Sequence, residues 1–141
     1  MQAAKTLIIN GEIMTENGFN RARVVEDGHQ IDISDHVKSA GLLIPAYVTK
    51  QLWHEVIKLD TTTNDLNTEE DKRIKEVISR LVYYIRTHRQ SSKSNTIYFN
   101  VEFKREGEQQ TYDLVSHLGV IDDENSDPCL TLFMSGEGQT Q

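Results

Sequence analysis

Residues 53–58 read Trp-His-Glu-Val-Ile-Lys and set His54 beside Glu55 on a stretch of helical period. A zinc-hydrolase helix needs a second histidine four residues after the first, so that two imidazoles on one face share the metal. That position is Lys58, and the pair is expected on a solvated helix face. The run from Asp122 to Pro128 spaces Asp123, Asn125 and Asp127 like the opening of a calcium loop. Such a loop requires glycine at its sixth position and glutamate at its twelfth, where Pro128 and Met134 stand. Asp113 and His117, in a segment of strand period, share a face but lie about 13 Å apart, too far for a hydrogen bond. Ser91, Ser92 and Ser94 occupy a polar, basic linker with no nucleophile elbow around them. His88 falls on an apolar helix stripe, and Cys129 opens an apolar strand in which a packing role suits it. No Walker loop, dinucleotide fingerprint or zinc-ligand spacing occurs. The expectation is a protein that is not an enzyme, with no catalytic residue, metal or cofactor.

A chain of 141 residues fits one domain with a real core, here expected over 1–141 with loose ends at 1–18 and 136–141. One cysteine forms no internal disulfide, which suits a reducing cytoplasm. The first residues form no secretory signal, and no apolar run nears the roughly 20 residues of a membrane span. Net charge is −7, and from Phe99 onward nine acids face two bases, a difference equal to the whole of it. Residues 72–93 hold seven bases instead. An acidic chain is a poor general nucleic-acid binder and suits a basic partner.

These groups hang on elements that the pattern also marks. Asn10-Gly11 between apolar pairs predicts a hairpin turn. Asn20 caps a short helix that Gly28 closes in the left-handed conformation. Ile31 and Ile33 then alternate with Gln30, Asp32 and Ser34 as in a half-buried strand. Ser34 is the expected cap of a second short helix ending at Gly41. Pro45 sets an extended entry to a helix capped by Thr49, with Leu52, Val56 and Leu59 on one stripe and Trp53 beside it, in the core or at an interface. The clearest element is an amphipathic helix over 68–89, capped by Thr68 with Asp71 completing the box, and carrying Ile74, Val77, Ile78, Leu81, Val82 and Ile85 inward. The period then changes to two. Ile97, Phe99, Val101 and Phe103 face one way, a turn at 106–109 follows, and strands over 110–121 and 129–136 flank a polar loop at 122–128. The expected fold is α+β: short helices and strand first, then the long helix, then a three-stranded antiparallel meander packed on it.

Three stretches carry a resemblance: "RARVVEDGHQIDIS", "AGLLIPAYVTKQLW" and "LTLFMSGEG". From about Arg21 to Gly138 the chain resembles a family of small uncharacterised proteins of phages, plasmids and other mobile elements. Its length and character also look like those of type II anti-CRISPR proteins. The resemblance carries no active-site residue. It implies an accessory protein in the cytoplasm of a bacterial host, whose partner is a protein, a CRISPR effector nuclease, bound so as to block nucleic-acid loading or a conformational step. The partner-binding candidates are the acids Glu106, Glu108, Asp122, Asp123, Glu124 and Asp127, which suit a positively charged channel. Two alternatives use the basic helix. Lys72, Arg73, Arg80, Arg86 and Arg89 could contact phosphates of a nucleic acid, or Arg80, Arg86 or Arg89 could hold a nucleotide signal in the pocket of a homodimer.

Overall fold

The computed structural model of the chain describes residues 7–9, 12–14, 20–58, 66–88, 95–105 and 107–136. Strands β1 (Leu7–Ile9) and β2 (Glu12–Met14) pair antiparallel with Ile9 opposite Glu12, the hairpin predicted around 10–11, residues that themselves lie outside the described ones. Helix α1 (Arg21–Glu26) starts where Asn20 accepts from the Arg23 amide, and Gly28 closes it at φ +82°. Strand β3 (Gln30–Asp32) runs into α2 (Ser34–Ser39). Ser34 is the first residue of that helix rather than its cap. Its hydroxyl accepts from the Ala46 amide 3.1 Å away, and its own amide donates to Asp32 Oδ1 at 2.8 Å. The serine thus ties the helix start to the next strand, while Asp32 takes the orphan amide.

That next strand, β4 (Ala46–Thr49), lies where the sequence suggested only an extended entry. Thr49 does cap the following turn, accepting from the Leu52 amide. α3 (Lys50–Leu52) widens at once into a π-helical turn over Trp53–Ile57, closed by the Lys58 amide on the Trp53 carbonyl. The wide turn keeps Leu52, Val56 and Ile57 all buried, and half-buried Trp53 packs against the same core. Leu59 lies outside the described residues. The long helix α4 (Leu66–His88) begins two residues before Thr68, which is therefore not its cap. Asp71 closes no capping box; its carboxylate meets Lys75 and His36, each at 2.9 Å.

Strands β5 (Thr96–Arg105), β6 (Glu108–Asp122) and β7 (Asn125–Met134) form the antiparallel meander. The sheet is larger than expected: five strands in the order β3-β4-β7-β6-β5, antiparallel except for β4 beside β7. One cross-strand row, Val48–Leu132–Ser116–Ile97, faces the helices, where Ile74, Val77, Ile78 and Leu81 of α4 complete the core. Burying each such aliphatic side chain contributes roughly 1.5–3 kcal/mol. The next row, Tyr47–Thr131–His117–Thr96, faces the other way and carries α1. Among the described residues no helix is long and apolar enough to cross a membrane.

Candidate functional site: an acidic hairpin arm

β6 outruns its neighbours. The register of β5 on β6 ends at Thr96 opposite His117, and that of β4 on β7 begins at Ala46 opposite Leu130. From Gly119 to Cys129, β6 and β7 therefore pair only with each other among the described residues, as an arm about 15 Å long. The segment 122–128, expected as a polar loop, is mostly strand and closes in a two-residue turn at Asp123-Glu124. Pro128 fits here because Leu130 donates its amide to Pro45 across the β4 side. Residue 128, two positions earlier, faces the same way, past the start of β4, so its missing N–H costs no ladder bond.

The tip is braced by its own side chains. Asp122 Oδ1 accepts from the Glu124 amide at 3.0 Å, and Asn125 Oδ1 from the Asp127 amide at 2.9 Å. Asp123, Glu124 and Asp127 are left facing solvent, with Asp122 half-buried. Leu118 at the base of the arm and Val120 within it, 38% and 47% exposed, lie two residues apart on one face of β6.

The root is held by Arg21, which is 2% exposed. A register shift between Val120 and Asp122 marks a bulge, which takes backbone carbonyls out of the ladder. Arg21 Nε donates to the Ile121 carbonyl at 2.9 Å and Nη2 to the Val120 carbonyl at 3.2 Å. Its Nη1 reaches Gln30 Oε1 at 2.8 Å and Thr131 Oγ1 at 3.2 Å, and Nη2 also meets Cys129 Sγ at 3.3 Å. The guanidinium lies 4.8 Å from the centre of the Tyr47 ring, and the Arg21 amide donates to Asp122 Oδ2. Burial, reinforced by Asp32, holds the Tyr47 hydroxyl above its ordinary pKa, and the Arg21 charge opposes that rise. This contact explains Gln30, expected on the solvent side of its strand and found 1% exposed. Arg21 was missed in the sequence because nothing local distinguishes a buried arginine after a helix cap. The overhang has a legible signal, since the period-two stretch of β6 is longer than that of β5.

The five described acids do not form one patch. Glu108 and Asp122 end the same 15-residue strand and are about 46 Å apart along it. Glu106 lies outside the described residues. The basic residues scatter as well. Arg73, 8% exposed, donates to the Val56 carbonyl at 2.8 Å and the Lys104 carbonyl at 3.0 Å, and stacks on Phe103. Arg80 is half-buried with Nε 3.4 Å from the Asn100 carbonyl. Lys72 is exposed 3.4 Å from Glu69, Arg86 is exposed about 21 Å further along α4 facing α2, and Arg89 lies outside the described residues.

His54 and Glu55 are exposed, Glu55 accepting from Gln51 Nε2. Asp113 is exposed, and His117 sits 3.4 Å from Thr96 Oγ1, four strand positions away from it. Cys129 is fully buried. No group of three or more His, Cys, Asp or Glu side chains able to hold a metal ion occurs among the described residues. Compared with protein-family models, curated proteins and solved structures, the chain matches none.

Proposed function

We propose that this protein is a non-enzymatic interaction domain that presents the β6–β7 arm to a basic surface of a protein partner. The observation that carries the reading is the overhang: a braced arm with Asp123, Glu124 and Asp127 at its tip and Leu118 and Val120 along one face. The division of labour follows from physics. Tip carboxylates steer the approach to a cationic surface, and the apolar pair supplies area that leaves water on contact. A stable interface needs about 800 Å² on each partner, so the arm is the leading part of a wider contact. The resemblance to mobile-element proteins makes the nucleic-acid channel of a type II RNA-guided nuclease the partner to test, in the cytoplasm of a bacterial host.

The test is target-DNA cleavage by guide-loaded type II nucleases with the protein added before or after DNA. Inhibition only when it is added first means competition for the channel; inhibition in either order means a later conformational step. Asp123→Lys with Glu124→Lys should abolish inhibition, and Leu118→Ser with Val120→Ser should weaken it by about tenfold or more. Inhibition that survives both pairs of changes refutes the arm as the contact. No inhibition of any nuclease refutes this class of partner.

A further inference from the structure

Six-residue α2 lies against only part of 23-residue α4, and a cleft of about 440 Å³ opens between them. That volume falls within the roughly 300–1,000 Å³ typical of small-molecule sites. Its lining sorts by chemistry. Ala40, Ile78 and Val82 are apolar, while Ser39 on α2 and Ser79 on α4 bring hydroxyls from both sides. Tyr83 and Arg86, one turn apart, line the cleft toward the C-terminal end of α4. The Tyr83 ring is 57% exposed, and its orientation is supported by an edge-on contact with Tyr84 at 5.9 Å.

The charges in the cleft differ in kind. Lys75 is compensated, because its ammonium lies 2.9 Å from Asp71, whose carboxylate also takes His36. Arg86 stands eleven residues along the same face, about 16 Å away. It has no hydrogen-bond or ion-pair partner among the described residues. Among the described residues the cleft therefore offers one guanidinium without a counter-ion, an apolar stretch beside an open aromatic ring, and hydroxyls. Inorganic phosphate would satisfy the guanidinium and leave the apolar stretch wet. A neutral ring would cover the stretch and leave Arg86 without a counter-ion.

We propose that the α2–α4 cleft binds a small anion that carries a flat ring system, of the nucleoside monophosphate class. The phosphate pairs with Arg86, where a planar fork matches its oxygens. The base lies over Ile78 and Val82 beside Tyr83, and the sugar hydroxyls meet Ser39 and Ser79. None of the arm's residues takes part, so the two sites are separable.

Calorimetric titration of the full chain with AMP, GMP, adenosine and inorganic phosphate tests this. At least one of the two nucleotides should bind, with adenosine and inorganic phosphate each weaker than AMP or GMP by about tenfold or more. Arg86→Gln should cost the nucleotide about tenfold and leave adenosine unchanged. Ser79→Phe, at an exposed position on the rim, should block the nucleotide while leaving the unfolding transition in place. The proposal is overturned if neither nucleotide binds at about 1 mM. It is equally overturned if inorganic phosphate binds as well as the nucleotide, or if Arg86→Gln weakens adenosine and nucleotide alike.

Discussion

At the scale of single residues, Arg21 decides most. A guanidinium has five N–H donors, and Arg21 directs them at five acceptors drawn from β3, β6 and β7. The bulge at the root of the arm is tolerated because this side chain takes the carbonyls that the ladder leaves. Arg21→Met keeps much of the volume and strands those acceptors. It should cost about 3 kcal/mol or more in urea unfolding; a cost below about 1 kcal/mol would mean that water replaces the guanidinium. Asp71 provides a second, pH-dependent case. Hydrogen bonds from Lys75 and His36 hold its carboxyl below the ordinary 3.8. The unfolded chain then binds the proton more readily than the folded one, so stability from this group is present above the ordinary value. It is lost as pH falls through the depressed value. Asp71→Asn should therefore destabilise the protein near neutral pH and have no effect once pH is well below 3.8. Parallel denaturation curves at both pH values check it, and an equal effect at both would rule out the ionic contribution.

At the scale of elements, the edge of the sheet shows what α4 does besides filling the core. The Leu118 amide bonds the Asn95 carbonyl, so odd-numbered residues of β5 bond β6 and even-numbered ones turn their backbone groups outward. Two of those outward carbonyls, at Asn100 and Lys104, are taken by Arg80 and Arg73 of α4. A ten-residue strand at a free edge is a template for aggregation, and the arginines obstruct it. Arg80→Ala should raise light scattering during storage or heating while changing unfolding free energy by less than about 1 kcal/mol; unchanged scattering would show that the edge needs no guard. The same arginines mark what was legible in the sequence. The period of α4 and the alternation of β5 were clear because each has one wet face, and Asn20, Gly28 and Thr49 announced their turns. β4 was hidden because all four of its residues are buried, so it shows no alternation. Its pairing with β7 joins residues 84 apart in sequence, Ala46 with Leu130, which no local pattern encodes. The acidic residues were legible as a composition and not as a patch, since the length of β6 separates them.

At the scale of the whole molecule, three arginines stand apart from the other charges. Arg21, Arg73 and Arg80 point at backbone carbonyls and aromatic rings, while Asp123, Glu124 and Asp127 face water. These three arginines are turned inward, while Arg23, Lys38, Lys50, Lys58, Lys72, Lys75, Arg86 and Lys104 stay exposed, so the outside is only somewhat more acidic than the formal charge of −7 implies. Nucleic-acid affinity depends on how many phosphates meet exposed cations at once. Of the five basic residues that could form such a strip, only Lys72 and Arg86 are exposed among the described residues, and Lys72 already lies beside Glu69. Among the described residues, that strip then neutralises about two phosphates together, which predicts a log–log salt slope of about −2 and no duplex binding below about 100 µM at about 150 mM salt. Fluorescence anisotropy with a short labelled duplex, repeated across salt concentrations, measures both quantities. A slope near −5 would mean that Arg73 and Arg80 leave their carbonyls to meet phosphate, and Arg80→Gln would then flatten it. The expected shallow slope instead leaves Arg73 and Arg80 on their backbone carbonyls and keeps the acidic arm as the face we propose for partner contact.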